Sequence, residues 1–143
     1  MILFFDTSAL IKRYLNEVGT EKVESLFESA TLIIVSSTAQ LECASAFQRL
    51  LKTKFIDLVK YNRLKADIAI DFPFFHIVEY DSTVREECLK VIDKYPLRAL
   101  DTIQLASALQ VLKEIDYLVV SDKQLINYAT KEGFTIIDPI QNL

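Results

Sequence analysis

The amino-acid sequence predicts an α/β domain built on a parallel sheet with helices over it, and three observations carry that reading. Short apolar runs of strand length alternate with longer segments of helical period along the chain. The first run, Met1 to Phe5, holds no charge, as suits a strand buried on both faces. It stops at Asp6, and later runs stop in the same way at hydroxyls and acids. In open α/β sheets ligands bind at the carboxyl ends of the strands, so that placement has a functional meaning too. With 143 residues and 51% hydrophobic content, the chain has the size and apolar stock of one domain, residues 1–143, around a well-filled core.

After the first strand, Thr7 and Ser8 supply two hydroxyls, with Ser8 placed to cap a short helix over Ala9 to Leu15 that gives way near Gly19. Thr20 is placed to cap a second helix, which carries Val23, Leu26, Phe27 and Ala30 on one side. The second strand, Leu32 to Val35, runs into Ser36, Ser37 and Thr38, any of which can cap the next helix. That helix, Thr38 to Phe55, aligns Leu41, Ala44, Phe47, Leu51 and Phe55 as its packing stripe. Glu42 falls off the stripe, on the side of Ala46 and Arg49, where a solvated first-turn acid is the simpler local reading. From Arg49 to Lys65 stand Arg49, Lys52, Lys54, Lys60, Arg63 and Lys65 against Asp57 alone, a run that suits either solvent or a phosphate backbone.

A helix from Asp57 to Ile70 packs through Leu58, Tyr61, Leu64 and Ile68, and Pro73 breaks the chain before a third strand, Phe74 to Val78. His76, the only histidine, lies in that strand between apolar neighbours and reads as structural. Thr83 and Glu86 have the spacing of a capping box for a helix from Thr83 to Lys94. Across Arg98 to Leu112 one helical face gathers Gln104, Ser107, Gln110 and Glu114, and the other Leu105, Ala108, Leu109 and Leu112. Asp101 heads the apolar face, where an unpaired carboxylate is costly, so it calls for a cation or the helix N-terminus as its partner. Tyr117 to Val120 forms a fourth strand that ends in Ser121 and Asp122. A helix from Gln124 to Lys131 is closed by Gly133, and Phe134 to Ile137 makes the fifth strand before Asp138 and Pro139.

Cys43 and Cys88 lie far apart within apolar helical patterns, as packing thiols rather than a disulfide do. No apolar run is long enough to span a bilayer and no signal-peptide pattern opens the chain, so the expected location is the cytosol, with no membrane partner. The net charge of −4 does not advertise a nucleic-acid binder, although carboxylates gathered on bound cations make the working charge less negative than the formal one. Gly19 and Gly133 are the only glycines, which excludes a Walker loop and a dinucleotide fingerprint.

Four acids, Asp6, Glu42, Asp101 and Asp122, stand at the end of a strand or the start of a helix, and on one sheet edge they converge. Carboxylates without histidine or a reactive cysteine suit hard Mg²⁺ or Mn²⁺ rather than zinc. Such ions catalyse phosphoryl transfer by activating a water and neutralising phosphate charge, so no side-chain nucleophile is required.

Through FFDTSALIKRY, LECASAF, RALDTIQLASAL, VVSDKQL and GFTIIDP the chain resembles the PIN-domain ribonucleases, in particular the VapC-like toxins of toxin–antitoxin pairs. The resemblance implies a three-layer α/β/α sandwich around a five-stranded parallel sheet. It also implies Mg²⁺- or Mn²⁺-dependent endonucleolytic cleavage of RNA, a homodimer, and inhibition by a cognate antitoxin. By motif, Asp6, Glu42, Asp101 and Asp122 become the four acids of the site, with Asp6 and Asp101 on the metal and Thr7 and Ser121 as hydroxyl supports. Many relatives have histidine where this chain has Gln104, a position that the helical pattern turns outward. Arg49, Lys52 and Lys54 are the sequence-local candidates for holding the RNA backbone. Leu10, Ile11, Tyr14 and Leu15 are candidate apolar contacts for an antitoxin helix beside the acids, or else core. Two rival readings stand beside this one. A phosphatase with an aspartyl nucleophile wants a second Asp two residues on, where this chain has Ser8. A non-enzymatic RNA- or protein-binding module keeps the fold and the basic stretch but has no need of four converging acids.

Overall fold

The charge-free opening run becomes the central strand. In the computed structural model, which describes residues 1–141, β1 (Ile2–Phe5) pairs in parallel with β2 (Leu32–Ser36) on one side and β4 (Tyr117–Val119) on the other. Beyond them lie β3 (His76–Val78) and β5 (Ile136–Ile137), giving the order β3-β2-β1-β4-β5 with every pairing parallel. Register places Phe4 between Ile34 and Leu118, and Phe5 between Val35 and Val119.

Alternation along β1 splits the core in two. Leu3 and Phe5 point into one apolar cluster with α1 (Thr7–Leu10), α2 (Thr20–Ser29), α3 (Ala39–Lys52) and α4 (Leu58–Asp71). Phe4 points into the other, with α5 (Ser82–Lys94), α6 (Ala99–Leu109) and α7 (Lys123–Lys131). Leu3, Phe4 and Phe5 are fully buried, worth about 1.5–3 kcal/mol each on transfer. The result is the three-layer α/β/α sandwich expected. Helical crossovers carry the chain outward from β1 to β3 on one face, then across to β4 and β5 on the other. The direction of travel therefore reverses between β1 and β4, and at such a point the loops diverge and leave a crevice.

Several local expectations shift by a residue or two, for identifiable reasons. The first helix starts at Thr7 because Asp6, not Ser8, is its N-cap and accepts from the Ser8 amide at 3.0 Å. It passes directly into a 3₁₀ turn at Ile11–Arg13. Likewise Asp81, not Thr83, caps α5 through the Val84 amide, so the capping box does not form. In both places a carboxylate outcompetes nearby hydroxyls for the helix N–H groups. Thr20 opens α2 as its first residue, while Gly19 before it sits at φ 97° with space for no side chain: a Cβ there would meet Lys12 at 3.0 Å and Pro139 at 3.2 Å.

Helix α3 ends at Lys52 rather than Phe55, with Lys54 left-handed at φ 63° in the turn that follows. Its buried face is Ala39, Cys43 and Phe47, so Leu41 and Phe55 are exposed, as is Leu58 at the start of α4. Both cysteines are buried and free, as their sequence setting implies.

Candidate active site

Four segments of the chain deliver acids to the crevice beside β1. Asp6 follows β1 directly, and its amide donates to the Val119 carbonyl of β4 at 3.0 Å, which locks the acid to the switch point. Glu42 lies in the first turn of α3, reached from β2, and Asp101 in the first turn of α6. Asp122 follows β4 and caps α7 through the Leu125 amide at 2.8 Å. All four line one cleft of about 290 Å³, together with Thr7, Ser8, Ile11, Ser45, Ala46, Arg49 and Leu100. The sequence reading of Glu42 as a solvated acid is thus corrected: its neighbours Ala46 and Arg49 form the wall of the cleft, not an outer face.

The carboxylates disturb one another. Asp6 is 3% exposed, and burial above all pushes its pKa up to about 7. Glu42 and Asp101 add repulsion, while the hydroxyl and amide of Ser8 pull the other way. Burial likewise raises Glu42, opposed mainly by hydrogen bonds from Gln104 and Thr38, with Asp101 adding to the rise. Asp101 is raised by burial and by Asp122, with Arg98 partly offsetting. Asp101 therefore couples electrically to each of the other three acids. No carboxylate in this set is neutralised by an ion pair of 4 Å or less among the described residues.

That donor set consists of hard oxygens, and it fits a divalent cation of the Mg²⁺ type. Among the described residues no three His, Cys, Asp or Glu side chains close into a ready ligand cage. An open arrangement matches a cation that keeps several waters and takes one or two carboxylates directly.

Neutral side chains hold the acids in place, and two of them, Ser8 and Gln104, are not assigned that part by the sequence. The Ser8 hydroxyl donates to Asp6 Oδ2 and accepts from the Ser121 amide at 3.0 Å, tying the first acid to the loop that carries the fourth. Ser8 is thereby committed, and no second carboxylate stands there for aspartyl-phosphatase chemistry. Gln104 is 1% exposed, so the outward face read from the helical pattern does not exist: α6 is buried on both sides, with Ser107 also fully covered. The Gln104 Nε2 donates to Thr7 Oγ1 at 2.9 Å and to Glu42 Oε1 at 2.8 Å. Thr38 joins them, donating to Glu42 Oε1 at 2.9 Å.

Of the expected supports, Thr7 is in the site, and Ser121 contributes through its amide, its hydroxyl being buried without a partner among the described residues. Arg49 lines the cleft and donates to Ser45 at 3.1 Å. Lys52 and Lys54 are outside the lining, the first in the last turn of α3 and the second beyond it. Leu10 and Tyr14 are core residues rather than walls, and only Ile11 of the four apolar candidates faces the cleft.

His76 is exposed on the edge strand and does not line the cleft, so packing does not explain it and chemistry does not need it. His76→Ala is expected to keep Tm near wild type and to leave whatever turnover the cleft supports unchanged. Loss of turnover in the folded variant would assign the histidine a role that its position does not suggest.

The fold and the cleft define an α/β/α domain whose carboxylates converge at the switch point of a five-stranded parallel sheet. Residues 3–131 match the PIN domain, and the chain belongs to that family. No curated protein matches it in sequence. Among solved structures it is similar to FitAcB from Neisseria gonorrhoeae, with 19% identity, 99% of each chain covered and a TM-score of 0.72. A toxin–antitoxin complex from Klebsiella pneumoniae aligns at 16% identity over 96% of this chain and 97% of that one, with a TM-score of 0.66. VapC20 of Mycobacterium tuberculosis, a sarcin-ricin loop cleaving toxin, aligns at 14% identity over 93% and 96%, also at 0.66. At these identities the likeness is one of fold.

Proposed function

We propose that this PIN domain is a metal-dependent endoribonuclease and the toxin of a toxin–antitoxin pair, working in the cytoplasm as a single domain over residues 1–143. The observation that carries the reading is the gathering of Asp6, Glu42, Asp101 and Asp122, with Arg49 beside them, in one cleft of a PIN fold. The similar structures, a toxin–antitoxin complex and a sarcin-ricin loop cleaving toxin, favour the same class.

In this reading Asp6 and Asp101 hold Mg²⁺ or Mn²⁺, with Glu42 and Asp122 completing the acidic floor. When bound, the cation supplies water activation and neutralises charge on the phosphate. The chain's own residues fix the geometry: Ser8 orients Asp6, and Arg49 stands on the cleft wall as a phosphate-binding side chain. A homodimer and an antitoxin both require protein-binding surface, and Phe55, 80% exposed, with Leu58 and Val59 supplies apolar material for it.

The direct test is cleavage of RNA by the wild-type protein with Mn²⁺, with Mg²⁺ and with chelator. Metal-dependent endonucleolytic products are expected, and activity that survives thorough chelation would refute the assignment. A second expectation concerns the basic residues. Changing Arg49, Lys52 and Lys54 together to Ala should weaken RNA binding and flatten its dependence on salt, by about 0.7 in log–log slope for each phosphate no longer neutralised. Because Arg49 is the one of the three that lines the cleft, Arg49→Ala should account for most of the fall in turnover, while the two lysines act on binding alone. An unchanged slope in the triple variant returns the run to a solvated face.

A further inference from the structure

We infer that Gln104 is a positioning residue for the reaction proposed above: by clamping Glu42 Oε1 and Thr7 Oγ1 with one amide, it leaves Glu42 Oε2 to face the cation held by Asp6 and Asp101, directly or through one of its waters. The inference rests on the nuclease reading and deepens it.

A primary amide nitrogen has two N–H donors, and here both are engaged, at 2.9 Å by Thr7 and at 2.8 Å by Glu42. The acceptors lie 97 and 62 residues away in sequence, so the one side chain joins α6 to the turn after β1 and to α3. Thr38 brings a second donor to the same Glu42 oxygen at 2.9 Å and is itself bonded to Ser36 at 3.0 Å. Oε1 is therefore held by two protein donors. Rotation of the Glu42 carboxylate is blocked, and the face it turns to the cleft is fixed before any ligand arrives.

The orientation of the amide follows from chemistry. Reversed, it would set its carbonyl oxygen against a carboxylate and forfeit both donors. In the orientation present, Gln104 Oε1 is buried without a partner among the described residues. An unpaired buried carbonyl is destabilising, and a hydrocarbon of the same length would avoid the cost. A residue kept only for packing would not be chosen this way. Neutrality matters equally: a cationic donor at this position would compete with the metal for Glu42, whereas an amide orders the carboxylate and leaves its charge in place.

The test uses the full-length protein with Gln104→Met, which preserves length and removes both donors. Mn²⁺ binding followed by electron paramagnetic resonance should weaken about 10–100-fold, as for loss of an outer partner of a metal ligand. At saturating Mn²⁺, kcat on RNA should fall at least about 10-fold with KM little changed, while Tm shifts little, the two bonds lost to Thr7 and Glu42 being set against relief of the unpaired carbonyl. Gln104→His can return one N–H to the same place and should recover part of both losses. Wild-type Mn²⁺ affinity and kcat in Gln104→Met would overturn the inference while leaving the nuclease reading intact, as would a Gln104→His protein no better than Gln104→Met. If Gln104→Met does not fold, Gln104→Asn, whose amide stops one methylene short, decides by the same criteria. A wild-type protein that neither binds Mn²⁺ nor cleaves RNA would remove the nuclease reading, and this inference with it.

Discussion

Asp6→Asn is expected to lose RNA cleavage by about 10³-fold or more while making the metal-free protein more stable above neutral pH. The loss follows from removing the most buried of the four carboxylates and with it charge that a cation needs, a deficit of several kcal/mol at the transition state. The gain follows from linkage. Folding raises the Asp6 pKa from 3.8 to about 7, so the native state binds this proton more tightly than the unfolded chain does. For a group raised in this way, the native state is unpenalised below about pH 4, and stability falls as the pH rises through about 7. An asparagine escapes that penalty. The advantage of the variant should thus be near zero at about pH 4, grow between about pH 4 and 7, and level off above at about 2–4 kcal/mol, part of which is offset by weaker bonds from Ser8. Asp101→Asn should show the same loss of cleavage with a smaller change in stability, since its side chain is only half-buried. Thermal melts in chelator from about pH 4 to 8, paired with cleavage assays in Mn²⁺, read both effects. Normal cleavage by either variant, or an Asp6→Asn protein that melts well below wild type in chelator at about pH 8, would sink the shared-site assignment.

Asp6 and Asp122 are legible in the sequence because they follow apolar runs whose burial needs no context, and Asp101 because it heads an apolar helical face; Glu42 reads locally as a solvated acid and joins them only through the motif resemblance. MILFF without a charge suits a doubly covered strand, and Asp6 after it then lies at the carboxyl edge. What cannot be read is which helix faces are covered. A helical wheel separates polar from apolar sides, but α6 is flanked by α5, by α7 and by the sheet, so its polar side is as buried as its apolar one. The wheel therefore assigns Gln104 and Ser107 to solvent, and the fold buries them. The converse holds for α3, where the pattern assigns Leu41 and Phe55 to the core: Phe47 of that stripe is buried as expected, but beside Ala39 and Cys43 rather than those two, and the Glu42 side becomes the cleft wall. One signal is available. Gln104 stands three residues after Asp101, so both lie on adjoining turns of one helix, and an acid inferred to need a partner makes its helical neighbours suspects too.

Expression of the wild-type protein in growing cells is expected to arrest growth, with relief by the product of a small neighbouring gene and no arrest from Asp6→Asn. An endoribonuclease without a brake would destroy the RNA of its own host, so the proposed activity requires an inhibitor. The cleft shows what chemistry such an inhibitor needs. Three of its carboxylates carry raised pKa values because burial and mutual repulsion outweigh the hydrogen bonds and the Arg98 charge that oppose them, so a cation of any origin gains by entering. A guanidinium from a partner chain can take the place of the metal, with bidentate bonds that a lysine does not make. The partner must also cover apolar surface, and the residues at hand are Ile11 and Leu100 on the cleft wall, since Leu10 and Tyr14 are committed to the core. An apolar helix laid along that wall with an arginine reaching the acids satisfies both demands. Arrest by wild type, rescue by the neighbour, and failure of rescue when the neighbour's inserted arginine is changed to alanine would together establish the arrangement. Harmless overexpression of active wild-type protein in its native host, with the neighbouring gene deleted, would instead make this a housekeeping nuclease that needs no inhibitor.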